Sequence, residues 1–181
     1  MSEKSSLSKA IIFLVPAVVA VLLLSSCSGS GQKRKDMPPV TKEMLMNINK
    51  KLVDRDMAEI QKYADSAGLT MQKTKSGLWY KILQEGEGHK AQKGDIITLD
   101  YKVTLLDGTE CYSSDKDGVK VFEVGHGGVE SGLEEGVLML NKGAKAIFIL
   151  PPYLAHGLLG DENKIPARST IVYDVQVLSI K

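Results

Sequence analysis

Residues 95–108 read DIITLDYKVTLLDG, and the fold turns on them. Ile97, Leu99, Tyr101, Val103 and Leu105 alternate with Thr98, Asp100, Lys102 and Thr104. That period of two is the pattern of a strand with one buried face. Asp107-Gly108 then supplies a tight hairpin turn, so Glu110 to Tyr112 returns beside the long strand. Working outward, Leu78 to Leu83, Val119 to Val124, Lys145 to Leu150 and Ser169 to Ile180 are further short runs rich in β-branched and aromatic residues. Glu85-Gly86-Glu87-Gly88 and Gly125-His126-Gly127-Gly128 break the pattern. Val129 to Leu140 switches to helical spacing, with Val129, Leu133, Val137 and Leu140 on one face. Pro151 to Pro166 is a long loop, of a length that suggests function. The expected body is antiparallel β with one short helix covering a face, an α+β domain over 69–181.

The front of the chain is of another kind. Ala10 to Leu24 is uncharged and apolar, preceded by Lys4 and Lys9 and followed by Ser25-Ser26-Cys27. This is the layout of a secretory signal, and the run is short of the ~20 residues that span a bilayer as a helix. Leu24-Ser25-Ser26-Cys27 resembles the bacterial lipobox, which implies a signal peptide over 1–26 and lipid attachment at Cys27. Residues 27–40, rich in Gly, Ser and charge and ending in a Pro pair, read as a flexible tether. Thr41 to Ala67 reads as a helix, with Thr41 as N-cap and Gly68 as the stop; the helical segment is 41–68. Its apolar residues drift between two registers. The helix lies on its own domain, or it offers a face, adaptable through Met44, Met46 and Met57, for dimerisation or client binding.

The 181 residues carry 23 basic and 22 acidic side chains, and Lys4, Lys9 and Glu3 lie before Cys27, so the remainder is formally neutral. That balance argues against nucleic-acid binding, which needs a basic excess. His89, His126 and His156 lack metal-ligand spacing. Asp100 and Asp174 read as polar residues on a strand face. Cys111 reads as a buried thiol rather than a nucleophile, since no neighbour supplies its activation.

From Asp95 to Lys181 the sequence resembles the FKBP-type peptidyl-prolyl isomerases. The carrying residues, in order, are Tyr101-Lys102-Val103 with Leu106-Asp107-Gly108-Thr109, Ser113-Ser114, and Phe122-Glu123-Val124-Gly125. Ser131-Gly132-Leu133-Glu134-Glu135-Gly136-Val137, Pro151-Pro152-Tyr153, Gly157, Ile165-Pro166 and Tyr173-Asp174-Val175 follow. The lipobox, the front helix and the phrases Cys111-Tyr112-Ser113-Ser114 and Leu154-Ala155-His156-Gly157-Leu158 look most like the gliding-motility-associated FKBP lipoproteins of Bacteroidetes. The resemblance implies an antiparallel half-barrel sheet wrapped on the short helix, with the N-terminal helix before it. It also implies rotation of X-Pro bonds in proline-containing polypeptides, without metal or cofactor. By family position Tyr101, Phe122, Val129, Glu130, Leu133, His156, Ile165 and Tyr173 line the pocket. Tyr101 and Tyr173 are its aromatic walls, Leu133 is its floor, and the Glu130 N–H meets the substrate carbonyl. His156 falls where most members carry a tyrosine. Cys111-Tyr112 replaces the usual Phe-Asp pair, and Lys164 stands where an apolar residue is common. The location that follows is the cell envelope, lipid-anchored at the outer membrane and facing the periplasm.

Overall fold

The computed structural model describes residues 39–181, so the signal segment, Cys27 and most of the tether lie outside it. Helix α1 (Lys42–Ser66) comes first, then strands β1 (Gln72–Lys73), β2 (Trp79–Gln84), β3 (Glu87–Lys90), β4 (Ile96–Leu105) and β5 (Glu110–Ser113). A single turn, α2 (Ser114–Asp117), leads to β6 (Lys120–Glu123), α3 (Ser131–Val137), β7 (Asn141–Lys142), β8 (Lys145–Leu150) and β9 (Ile171–Ile180). The sheet order is β1-β2-β8-β9-β4-β5, with β6 also paired to β4, and every pairing is antiparallel. β4, the strand of the opening alternation, is therefore central. It pairs β9 along most of its length, from Ile97 opposite Ile180 to Leu105 opposite Ile171.

Period-two burial sorts the sheet into two faces. Leu99 and Val103 of β4, Phe148 and Leu150 of β8, and Tyr173, Val175 and Val177 of β9 point to one core. That core is closed by Leu133 and Val137 of α3. Ile149 and Val172 point the other way and are covered by Ile60 of α1 together with Trp79. α1 thus lies on its own domain through its C-terminal half, and Lys42–Lys181 forms one compact unit. Its N-terminal half projects Leu45 and Met46 into solvent. The helix ends at Gly68, whose φ of 63° lets Leu69 N–H reach Ala64 O at 2.9 Å and Gly68 N–H reach Asp65 O at 3.2 Å. That double bond satisfies carbonyls the helix leaves open, and a β-carbon would disfavour the backbone it needs.

Two expectations change. The Val129–Leu140 helix shortens to Ser131–Val137, because Glu130 is extended (φ −61°, ψ 140°) and forms the N-cap. Glu85–Gly88 is in part strand: β3 pairs β7 in a separate two-stranded ribbon.

α3 can approach β8 only because its inner face carries glycine. A β-carbon on Gly136 would stand 2.8 Å from the ring of Phe148, which is fully buried and cannot yield. Gly136→Ala is expected to destabilise by about 1–3 kcal/mol through overpacking, read as a lower urea midpoint with unchanged m-value.

Candidate functional site

A cleft of about 350 Å3 opens between β6, the start of α3 and the β8–β9 loop, lined by Lys120, Gly128, Val129, Glu130, Ala155 and His156. The strands supply its walls and the loops its rim. The loop before α3 is shaped by Glu134, whose carboxylate accepts from the backbone N–H of Gly125 (2.5 Å) and of Gly127 (3.1 Å). This turns Val129 and Glu130 toward the cleft. Among the described residues, the Glu130 N–H meets no acceptor.

Beneath the cleft stand the two tyrosines, with ring centroids 6.2 Å apart and planes at 42°. Tyr101 is half-buried on β4, its N–H donating to Ser114 Oγ at 2.8 Å. Tyr173 on β9 is fully buried. Its hydroxyl donates to the Glu130 carboxylate, at 2.9 Å from Oε1 and 3.0 Å from Oε2. Burial first, and the Glu130 charge second, push the Tyr173 phenol far up, so it stays a neutral donor at physiological pH. Burial likewise raises the Tyr101 phenol, with help from Asp117 and Glu130. Lys120 Nζ donates to Tyr173 Oη at 3.0 Å and lies 5.1 Å from the Tyr101 ring centroid and 5.4 Å from that of Tyr173. His156 Nε2 closes the group at 2.9 Å from Glu130 Oε1. The Glu130 carboxylate, 8% exposed, is thus hydrogen-bonded by Tyr173 and His156, with the Lys120 ammonium 3.9 Å from Oε2.

The residues expected in the pocket lie at two depths. Val129, Glu130 and His156 line the cleft, and Tyr101 and Tyr173 adjoin it through Lys120 and Glu130. Phe122, Leu133 and Ile165 belong with Tyr173 to the core beneath, Phe122 opposite Ile97. Lys120 was not singled out. The signal was available: on β6, residues two apart share a face, so Lys120 stands beside Phe122 and nearer the rim.

The departures from the family pattern explain one another. Tyr112 Oη donates to Asp161 Oδ2, and Lys164 Nζ lies 4.6 Å over the Tyr112 ring. Asp161 Oδ1 accepts from Asn163 N–H (2.9 Å) and Ile165 N–H (2.7 Å), which folds the long loop. Burial opposes this charge, but the hydrogen bonds from Tyr112, Ile165 and Asn163 prevail and hold the Asp161 carboxyl below its ordinary value. Cys111 is buried under this loop, and burial raises its thiol, so it is not a nucleophile.

With this geometry in hand, comparison with known proteins is direct. The model of the FKBP-type peptidyl-prolyl cis-trans isomerase family matches residues 87–178. The chain belongs to that family. It is 41% identical over 108 residues to a probable FKBP-type peptidyl-prolyl cis-trans isomerase FkpA of Neisseria meningitidis, covering 59% of this chain and 39% of that one. It is 35% identical over 122 residues to FkpA of Escherichia coli, covering 67% and 43%. With FK506-binding protein 1A of Emericella nidulans it shares 37% identity over 106 residues, 58% of this chain and 98% of that one. The chain thus spans about four-tenths of the length of its FkpA relatives. The crystal structure of Escherichia coli FkpA superposes with a TM-score of 0.62 at 26% identity, covering 94% of this chain and 71% of that one. The FKBP-like fold, with a helix before the sheet, is therefore established.

Proposed function

We propose that this chain is a peptidyl-prolyl cis-trans isomerase that assists folding of envelope proteins while tethered to a membrane by lipid on Cys27. The observation that carries the reading is the cleft lined by Val129, Glu130 and His156, with a Glu130 N–H that meets no acceptor and two tyrosine rings in contact beside it. A prolyl bond rotates slowly because the planar amide is held by resonance, with a barrier of ~18–20 kcal/mol. Midway through rotation that resonance is lost and the carbonyl is less polar. A site that shields the prolyl ring against an apolar, aromatic wall, and fixes the carbonyl with one backbone donor, favours the twisted amide over the planar one. Proton transfer and covalent chemistry are not needed. The narrower kinship, to gliding-motility lipoproteins, rests on the lipobox, the front helix and the two sequence phrases. Among the described residues no helix is long and apolar enough to cross a membrane; in this reading the acyl chains on Cys27 supply the attachment.

A second reading is favoured by one feature. The exposed Leu45, Met46 and Ile48 on the free half of α1 suit a surface for unfolded clients or for a second copy of the chain. In that reading the domain holds clients with little turnover.

One experiment separates the two. Exchange between cis and trans Xaa-Pro signals of a short peptide is followed by NMR with the full chain added. Acceleration well above the uncatalysed rate supports the isomerase; suppression of client aggregation without acceleration supports the holdase. Sedimentation of the full chain, and of a variant with Leu45, Met46 and Ile48 replaced by Ser, tests the homodimer over residues 41–67: an unchanged monomer in both removes it.

A further inference from the structure

Glu130 brings two polar groups to the cleft, a backbone N–H and a carboxylate, and within the protein only the second is bonded. The residue is the N-cap of α3, with φ −61° and ψ 140°, yet its side chain makes no capping bond. A polar side chain at that place ordinarily accepts from the N–H groups of the first helical turn. Here the carboxylate leaves the helix and takes the Tyr173 hydroxyl at 2.9 and 3.0 Å and His156 Nε2 at 2.9 Å. It ends 8% exposed. Burying a charge and forgoing a cap both cost stability.

The chain before Glu130 shows what the arrangement achieves. Gly127 and Gly128 stand at φ 79° and 91°, and a β-carbon on either would meet nothing within 4 Å. Packing therefore does not hold them. Glu134 fixes the loop as far as the Gly127 N–H. Among the described residues the N–H groups of Gly128, Val129 and Glu130 meet no acceptor. On the other side, the Glu130 carbonyl accepts from Leu133 N–H at 2.9 Å and Glu134 N–H at 3.0 Å. The donor that the isomerase reading assigns to the substrate carbonyl thus follows two unpacked glycines.

We propose that Glu130 is a positioning residue through its side chain: tied to β9 by Tyr173 and to the β8–β9 loop by His156, the carboxylate fixes its own backbone nitrogen and keeps that N–H aimed into the cleft. The inference rests on the isomerase reading for its substrate and on the carboxylate's partners for its content. The helix holds Glu130 from its carbonyl, and the two hydrogen bonds hold it from its side chain. With both in place the α-carbon cannot swing, whatever freedom the glycines have. Lys120, 3.9 Å from Oε2, offsets the charge without making a hydrogen bond. A donor that is already aimed loses little freedom when a carbonyl arrives, and that is the gain.

The test uses the full chain and substitutions that leave the backbone N–H in place. Glu130→Met fills a similar space and accepts no hydrogen bond from either partner. If the donor is aimed for only a fraction of the time, apparent affinity falls by that fraction. Glu130→Met is therefore expected to raise KM for an Xaa-Pro peptide several-fold with kcat little changed. A merely structural role acts differently: partial unfolding removes active molecules and lowers kcat at constant KM. Glu130→Gln is expected to stay close to the wild type, since an amide can accept from one partner and donate to the other. Unchanged KM in Glu130→Met, or a Glu130→Gln variant as impaired as Glu130→Met, would overturn the proposal. Backbone nitrogen relaxation gives a reading without any substrate. Val129 and Glu130 are expected to be as ordered as α3 in the wild type, and looser in Glu130→Met while Leu133 to Val137 keep their order. Equal order at Glu130 in the two proteins refutes the tie. If order falls as expected while the wild type accelerates no peptide, the tie stands and the isomerase reading fails.

Discussion

Replacement of Asp56 by alanine is expected to release α1 from the sheet and to lower the unfolding free energy by about 3 kcal/mol. Asp56 is 3% exposed, an unusual place for a carboxylate midway along a helix. It is held by Arg168, whose Nη2 reaches Oδ2 at 2.8 Å and Oδ1 at 3.1 Å. Arg168 comes from the loop before β9, more than a hundred residues later in the chain. Breaking such a pair from one side leaves an uncompensated charge, which costs ~3–5 kcal/mol when both groups are deeply buried. A quarter of the Arg168 side chain is exposed and can turn partly to water, which places the effect at the lower end. Arg168 has a second tension. Its φ is 56°, a left-handed backbone disfavoured for a side chain with a β-carbon, and it is kept there by its N–H bond to Gly157 O at 3.0 Å. Urea unfolding reads the loss, and hydrogen exchange locates it: amides in the C-terminal half of α1 are expected to lose protection before those of β4 and β9. The double variant Asp56→Ala/Arg168→Ala is expected to be less damaging than the sum of the two single changes, because no lone charge remains. A purely additive result would show that the pair does not fasten the helix.

This anchor also shows what the sequence could and could not disclose. The strands were legible because each buries one face against a core, and burial on a pleated strand writes itself as period two. β4 and β9 came out within two residues of their expected ends. The sequence left α1 either lying on its own domain or offering a face, and the first holds for its C-terminal half; the anchor that fastens it was not legible. The helix's apolar stripe is interrupted by Asp56 at a buried position, and only the distant Arg168 makes that tolerable; a pair so far apart leaves no local pattern. The cleft divides in the same way. Tyr101 and Tyr173 lie on long, regular strands, so family position carries over to them directly. On β6, just four residues long, Phe122 and Lys120 share a face, and a shift of two residues decides which of them reaches the rim. The hydrophobic residue was the natural choice for a pocket expected to be apolar. Phe122 lies with the fully buried Tyr173 in the core, and Lys120 lines the cleft beside them. Tyr112 and Lys164 looked like two separate departures in sequence; the ring and ammonium contact makes them one substitution shared between β5 and the long loop.

Tyr173 is where stability and site chemistry meet, and its removal is expected to have the largest effect of any substitution in the cleft. Tyr173→Ala deletes a fully buried aromatic ring from the middle of β9, a change that costs ~3–5 kcal/mol for the cavity alone. It also strips the Glu130 carboxylate of a donor and Lys120 of both an acceptor and a ring face. Tyr173→Phe separates the two contributions. The ring stays, so the cavity term vanishes. What remains is the loss of the hydroxyl that bridges Lys120 and Glu130, worth about 1–3 kcal/mol where a buried charged partner is left short of a donor. Glu130 is not stranded altogether, since His156 Nε2 still bonds it at 2.9 Å and Lys120 lies 3.9 Å away. Without the intervening hydroxyl, the Lys120 and Glu130 ion pair, 3.9 Å apart, is free to close to hydrogen-bond distance. The two variants are therefore expected to diverge: Tyr173→Ala loses stability and isomerase activity together. Tyr173→Phe loses only a modest amount of stability. Thermal unfolding followed by circular dichroism, with peptide isomerisation measured well below the transition, reads both. If Tyr173→Phe matched Tyr173→Ala in stability, the hydroxyl bridge rather than the ring would be the main support of β9.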